Sequence, residues 1–226
     1  MSGRRRTAIL ISGRGSNMAA VIAACWDESF PAQVALVASN RPEAAGLQHA
    51  ERNGVPTTIV DHKAFATEAA FERRLDGVLR EAAIDLVCLA GFMRLLSPEF
   101  VEAWRDRLIN IHPSLLPAFA GLNTHARALD AGDKLHGCTV HYVRAAMDNG
   151  PIIAQAAVRV LAGDTPETLA ARVLAAEHEL YPFALALVAS GRVRVAGELV
   201  VSSEPPPPAA DEAMLIAPPL DDVRAQ

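Results

Sequence analysis

Three short runs, TAILIS (7–12), VALVAS (34–39) and IDLVCLA (84–90), are apolar at nearly every position. A strand with one face in water alternates apolar and polar residues, whereas a run apolar along its length must be covered on both faces. PTTIV (56–60) and RLINIH (107–112) read as further strands. Between them lie longer helical patterns, at about residues 16–26, 43–52 and 64–83. Strands alternating with helices make βαβ units. The expected fold is therefore α/β: an open, mostly parallel, doubly wound, Rossmann-like sheet.

The pattern changes after residue 136. GCTVHYV (137–143) and PIIAQAAVRV (151–160) are joined by the turn-rich RAAMDNG, which leaves no room for a crossover helix. That pairing is expected to be antiparallel. A last helix is expected over 165–190, capped by Thr165 ahead of Pro166 and Glu167 and closed by Gly191. RVRV and ELVV then suggest a small hairpin. EPPPPAADEAMLIAPPLDDVRAQ reads as a poorly ordered tail, which divides the chain into a domain over 1–203 and a tail over 204–226. No internal repeat is present.

A chain of 226 residues with 51% hydrophobic content can bury a full core as one domain or at most two. Its net charge of −5, with scattered basic residues, argues against a nucleic-acid or anionic-membrane surface. Cys25, Cys88 and Cys138 are widely spaced and odd in number, so neither a disulfide framework nor a zinc site is expected. AILI after the basic N-terminus is too short for a signal-peptide core, and no stretch reaches membrane-spanning length. These features point to a cytoplasmic protein with small-molecule substrates, a monomer or homodimer.

ISGRGSN follows the first strand and opens a helix, where backbone N–H groups and the helix dipole can hold an anion. It is no dinucleotide fingerprint: Met18 stands where the third glycine belongs, and Ser39-Asn40-Arg41 lacks the acidic residue. Nor does it have the lysine of a P-loop. A one-phosphate site and an ordinary βα turn with Ser16 or Asn17 as helix N-cap fit this segment equally.

Asn110 and His112 are i and i+2 in a strand, so both face one side at its carboxyl end, where open α/β sheets bind ligands. Pro113 forces the chain out. An amide and an imidazole together can donate to an oxygen that gains negative charge in acyl transfer, and the imidazole can move a proton. Asp148, in AMDNGP, is explained by turn geometry alone unless the hairpin folds back beside His112.

With LAGFMRLLSPEF, LINIHPSLLP, GLNTH, HGCTVHYV, DNGPII and EHELYP in order after ISGRGSN, residues 7–200 resemble the phosphoribosylglycinamide formyltransferase family. The resemblance implies a formyltransferase-type fold and 10-formyltetrahydrofolate as co-substrate, with no metal. It implies Asn110, His112 and Asp148 as the catalytic trio. Gly15, Ser16 and Asn17 would bind the phosphate of glycinamide ribonucleotide, and Glu177 its ribose. Met93, Arg94, Leu95 and Leu96 would line the folate pocket with Asn110 and the loop carrying Arg144, Met147 and Asp148. Without the resemblance, Glu177 would be an ordinary exposed helix glutamate. The chain departs from the family at Asn123, in place of a histidine, at Ala120, at Glu68 in place of an arginine in some members, and at Asn149, which tolerates the positive φ of a turn.

The alternatives are a 10-formyltetrahydrofolate hydrolase and a non-catalytic folate- or phosphate-binding module. A hydrolase would be expected to add an N-terminal regulatory domain, and a methionyl-tRNA formyltransferase a C-terminal RNA-binding one.

Overall fold

The structure is a computed structural model, and it describes residues 3–202. The expected tail and the boundary at residue 203 lie outside the described residues. In chain order the elements are β1 (Arg5–Ile11), α1 (Ser16–Ala24), β2 (Ala32–Ser39), α2 (Ala45–Arg52), β3 (Thr57–Ile59), a 3-10 turn (His62–Ala64), α3 (Glu68–Glu81), β4 (Leu86–Leu89), α4 (Pro98–Ala103), β5 (Leu108–His112), α5 (Thr124–Ala131), β6 (Leu135–Tyr142), β7 (Ile152–Arg159), α6 (Pro166–Ser190), β8 (Val193–Ala196) and β9 (Leu199–Ser202). The main sheet runs β3-β2-β1-β4-β5-β6-β7, mostly parallel, and β8 pairs with β9 in a separate hairpin. The doubly wound class read from the apolar runs is the one observed.

Two elements, α4 and α5, were not foreseen. They are six and eight residues long, too short to show a helical period. α4 nevertheless carries a readable start: the Ser97 hydroxyl accepts from the Phe100 N–H, with Pro98 in the first turn. α6 begins as expected, with Thr165 and Thr168 capping each other, and ends on Gly191 at φ 74°.

The chain falls into two compact units, one of residues up to Asn110 with Val143–Ala145, the other of Ile111–Tyr142 and the residues from Ala146 onward. In the first, β1 lies between β2 and β4 and β4 pairs with β5, all parallel, with Leu89 beside Asn110. Its core joins Leu10, Leu36, Phe71, Leu75, Leu79, Val87, Trp104 and Leu108. In the second, β6 and β7 pair antiparallel, as expected, and α6 packs on them through a face that includes Leu169, Val173, Leu180 and Leu185.

One close approach shapes the carboxyl edge of the first unit. The Gly46 N–H donates to the Gly13 carbonyl at 3.0 Å, which seats α2 on the glycine turn. A Cβ at Gly46 would lie 2.6 Å from the buried Ile11 Cδ1 and 3.2 Å from the Gly13 oxygen. Helix propensity favours alanine there by about 1 kcal/mol, but overpacking costs about 1–3 kcal/mol. Gly46→Ala is therefore expected to lower stability in urea unfolding; a gain in stability would show that this approach is not tight.

Candidate active site

The glycine turn leaves β1 through Ser12, Gly13 and Arg14 to Gly15, whose φ of 73° suits a residue without Cβ. Gly15 itself holds the N-cap position of α1, and no side chain caps that helix. The reading of Ser16 or Asn17 as an ordinary N-cap is thereby excluded. Both sit in the first turn of α1, beside helix N–H groups that point out of the turn.

A buried polar network that sequence reasoning missed fastens this turn to its neighbours. The Ser12 hydroxyl donates to Asn40 Oδ1 at 2.6 Å and accepts from the Met93 N–H at 2.8 Å, while the Ser12 N–H donates to the Gly91 carbonyl. Asn40 is buried, and its carbonyl meets His62 Nδ1 at 2.8 Å. The available signal was the one that singled out Asn110: a polar residue closing an apolar run.

Residues 93–96 leave the end of β4 with alternating exposure. Phe92 and Leu96 pack against the core, while Met93 and Leu95 are 65% and 72% exposed. Arg94 pairs with Glu68 at 2.7 Å and lies over the Phe71 ring. The Arg144 guanidinium, also in the first unit, pairs with Asp106 at 2.7 Å. Asn110, half-buried, ends this unit on β5.

In the second unit the chain brings His112 and Asp148 together. His112 is buried; its Nε2 lies 3.1 Å from the Phe119 carbonyl and its Nδ1 3.4 Å from Asp148 Oδ2. Both ring nitrogens thus face oxygen acceptors, and both donate only when the ring carries two protons. The same Asp148 oxygen accepts the Gly121 N–H at 2.9 Å, so the loop after Pro113 and the loop after β6 meet on one carboxylate. Asp148, and not Asn149 as expected, carries the positive φ of that turn, at 51°. The αL backbone is tolerated by a short polar side chain, and here that side chain is held by Gly121. Asn123, exposed and itself at φ 57°, holds the N-cap position of α5. Met147 is 55% exposed.

His141 was not singled out from sequence, yet its Nε2 stands 3.9 Å from Asp148 Oδ1. With Thr139 it repeats the i, i+2 polar spacing of Asn110 and His112. Thr139 accepts from the Leu116 N–H and donates to the Ser114 carbonyl, which ties down the loop after β5. Burial pushes His141 and His125 below the usual histidine range and His136 down to about 4; the Asp148 charge pulls His141 partly back. The His125 and His136 rings meet edge to face at 5.2 Å. Glu177 is buried at 7% exposure rather than lying on the surface of α6, and after burial itself its charge further raises the Cys138 thiol. Cys25, Cys88 and Cys138 are all buried, and none is joined in a disulfide.

A mostly parallel sheet that presents an amide at a strand end, with a carboxylate-paired imidazole two residues on, suits an enzyme that moves an acyl group. The formyl transferase family model matches residues 5–185. Over 187 residues the chain is 45% identical to the phosphoribosylglycinamide formyltransferase of Escherichia coli, covering 83% of this chain and 88% of that one. It is 51% identical over 192 residues to the trifunctional purine biosynthetic protein adenosine-3 of Bos taurus, covering 85% of this chain and 19% of that protein. The chain thus spans about a fifth of the length of such trifunctional relatives. A solved glycinamide ribonucleotide transformylase from Symbiobacterium toebii matches with a TM-score of 0.86 at 46% identity, over 88% of this chain and 94% of that one. The chain belongs to the formyl transferase family.

The buried histidines set an acid limit. With a folded value near 4 against an ordinary 6.5, His136 binds its proton first in the unfolded chain. Its contribution is complete above the ordinary value and is lost as pH falls from there towards 4. Urea midpoints should drop across that interval, and less steeply in His136→Gln; parallel curves for the two proteins would contradict this assignment.

Proposed function

We propose that the chain transfers the formyl group of 10-formyltetrahydrofolate to the primary amine of glycinamide ribonucleotide, a step of purine biosynthesis. The observation that carries the reading is the buried His112–Asp148 contact two residues beyond Asn110. Gly15, Ser16 and Asn17 hold the phosphate and Glu177 the ribose. Met93, Arg94, Leu95 and Leu96, with Arg144 and Met147, hold the folate; the exposed Met93 and Leu95 offer apolar surface to a flat ring. Buried thiols, none of them in a disulfide, fit a reducing cytoplasmic compartment.

In the reaction the amine nitrogen attacks the formyl carbon, and the carbonyl oxygen takes up the displaced electron pair. The Asn110 amide N–H donates to that oxyanion, as does the His112 Nε2–H once it turns from the Phe119 carbonyl to the reacting oxygen. When the intermediate collapses, the carbonyl re-forms and the bond between the formyl carbon and the folate nitrogen breaks. The amine loses one proton and the leaving nitrogen gains one, so tetrahydrofolate and the formylated ribonucleotide are released in balance. Asp148 supports the imidazolium and passes the proton. Bound by the Gly121 N–H, it keeps its place while the imidazole changes charge.

His112→Ala and Asn110→Ala are each expected to lower kcat by about 10²–10³, the usual loss for one oxyanion donor. Asp148→Asn should lose activity while the Gly121 N–H keeps an acceptor. Thermal melts would show all three folded, and mass spectrometry would identify the formylated ribonucleotide made by the unmodified chain. Near-normal turnover in His112→Ala would overturn the assigned roles.

A further inference from the structure

α3 is amphipathic, and its inward stripe runs Phe71, Leu75, Val78 and Leu79. Glu72 lies beside Phe71 on that stripe and is only 7% exposed. A carboxylate in a core position costs stability unless it is hydrogen-bonded, and an apolar side chain of similar volume is commonly as stable there. What Glu72 does instead is bind one residue: its carboxylate accepts both the Ser97 N–H, at 2.7 Å, and the Ser97 hydroxyl. Ser97 directly follows the 93–96 stretch and is the N-cap of α4.

The other end of that stretch is held by a second buried group, since the Met93 N–H donates to Ser12. Its middle is held by α3 again: Glu68, one turn before Glu72, pairs with Arg94, and Phe71 lies under the Arg94 guanidinium. Positions 68, 71 and 72 fall on one face of a helix, at i, i+3 and i+4. A single turn of α3 thus grips two residues of this segment, Arg94 and Ser97, while the Met93 and Leu95 side chains remain exposed.

We propose that Glu72 is a positioning residue for folate binding, fixing the 93–96 loop through Ser97. It touches no substrate. The inference rests on the functional reading above, in which this loop holds the folate. A loop held at both ends binds without first losing conformational freedom, so loosening one end weakens ground-state binding of one substrate and leaves the other untouched.

The test compares steady-state constants of the unmodified chain, Glu72→Gln, Ser97→Ala and Ser97→Thr, with Glu81→Gln on the exposed end of α3 as control. Glu72→Gln and Ser97→Ala should raise KM for 10-formyltetrahydrofolate about fivefold or more, with kcat and KM for glycinamide ribonucleotide within about twofold, the pattern of lost uniform binding. Ser97→Thr, which keeps the hydroxyl, should restore most of the affinity, and tetrahydrofolate binding measured without turnover should follow the same order. A purely structural role would lower melting temperature and active fraction while leaving both KM values unchanged; that result overturns the proposal. If Glu72→Gln does not fold, the Ser97 pair decides the matter on the same criterion. Formyl transfer by the unmodified chain with unchanged KM in the variants defeats this inference alone, whereas no transfer by the unmodified chain defeats the functional reading and this inference with it.

Discussion

The site of the second unit depends on one carboxylate placed out of water. Asp148 is held at a left-handed backbone position, its side chain about a tenth exposed, with Gly121, His112 and His141 around it. An unpaired carboxylate in such a place would be costly, and removing one partner of a buried pair costs more than the pair contributes. The Gly121 N–H therefore matters as much as the imidazole. It holds the aspartate through a bond that does not involve His112. Thr139 secures the neighbouring loop by bonding both Ser114 and Leu116. Burial keeps His125, His136 and His141 from charging easily, and the His112 ring lies nearer the Asp148 carboxylate, at 3.4 Å, than His141 does, at 3.9 Å.

In the first unit the equivalent economy is carried by Ser12. One hydroxyl bonds the end of β2 through Asn40 and the exit of β4 through Met93, and its own N–H meets Gly91. Three strand ends are thereby tied at the edge where the glycine turn emerges. Gly46 completes the arrangement by letting α2 lie against that turn without a Cβ between them. None of these groups needs to touch a ligand to matter for binding, because preorganisation lowers the entropy lost when a ligand is held.

The sheet was legible because its strands are short, apolar and separated by helical periods, and because the antiparallel pair β6–β7 had no room for a crossover. Asn110 and His112 were legible from their i, i+2 spacing at a strand end before Pro113. Asp148 was not: AMDNGP is a sufficient turn sequence by itself, and its approach to His112 is a long-range contact that local pattern does not encode. His141 was hidden for a related reason, since it sits inside a run whose apolar neighbours dominate the reading, whereas Ser12 closes its run as Asn110 does. Glu177 was misjudged from residue type, because glutamate is seldom buried unless partnered. The helices α4 and α5 were too short for periodicity, although Ser97-Pro98 held a readable start signal.

The proposed reaction is formyl transfer to an amine, and the acceptor is what separates it from hydrolysis. The most direct measurement is the rate of tetrahydrofolate release from 10-formyltetrahydrofolate, followed by absorbance with and without glycinamide ribonucleotide. Release is expected to depend on the ribonucleotide and to match it in stoichiometry. Equal release in its absence would identify a hydrolase, and folate binding with no release would identify a binding module; either result would contradict the account.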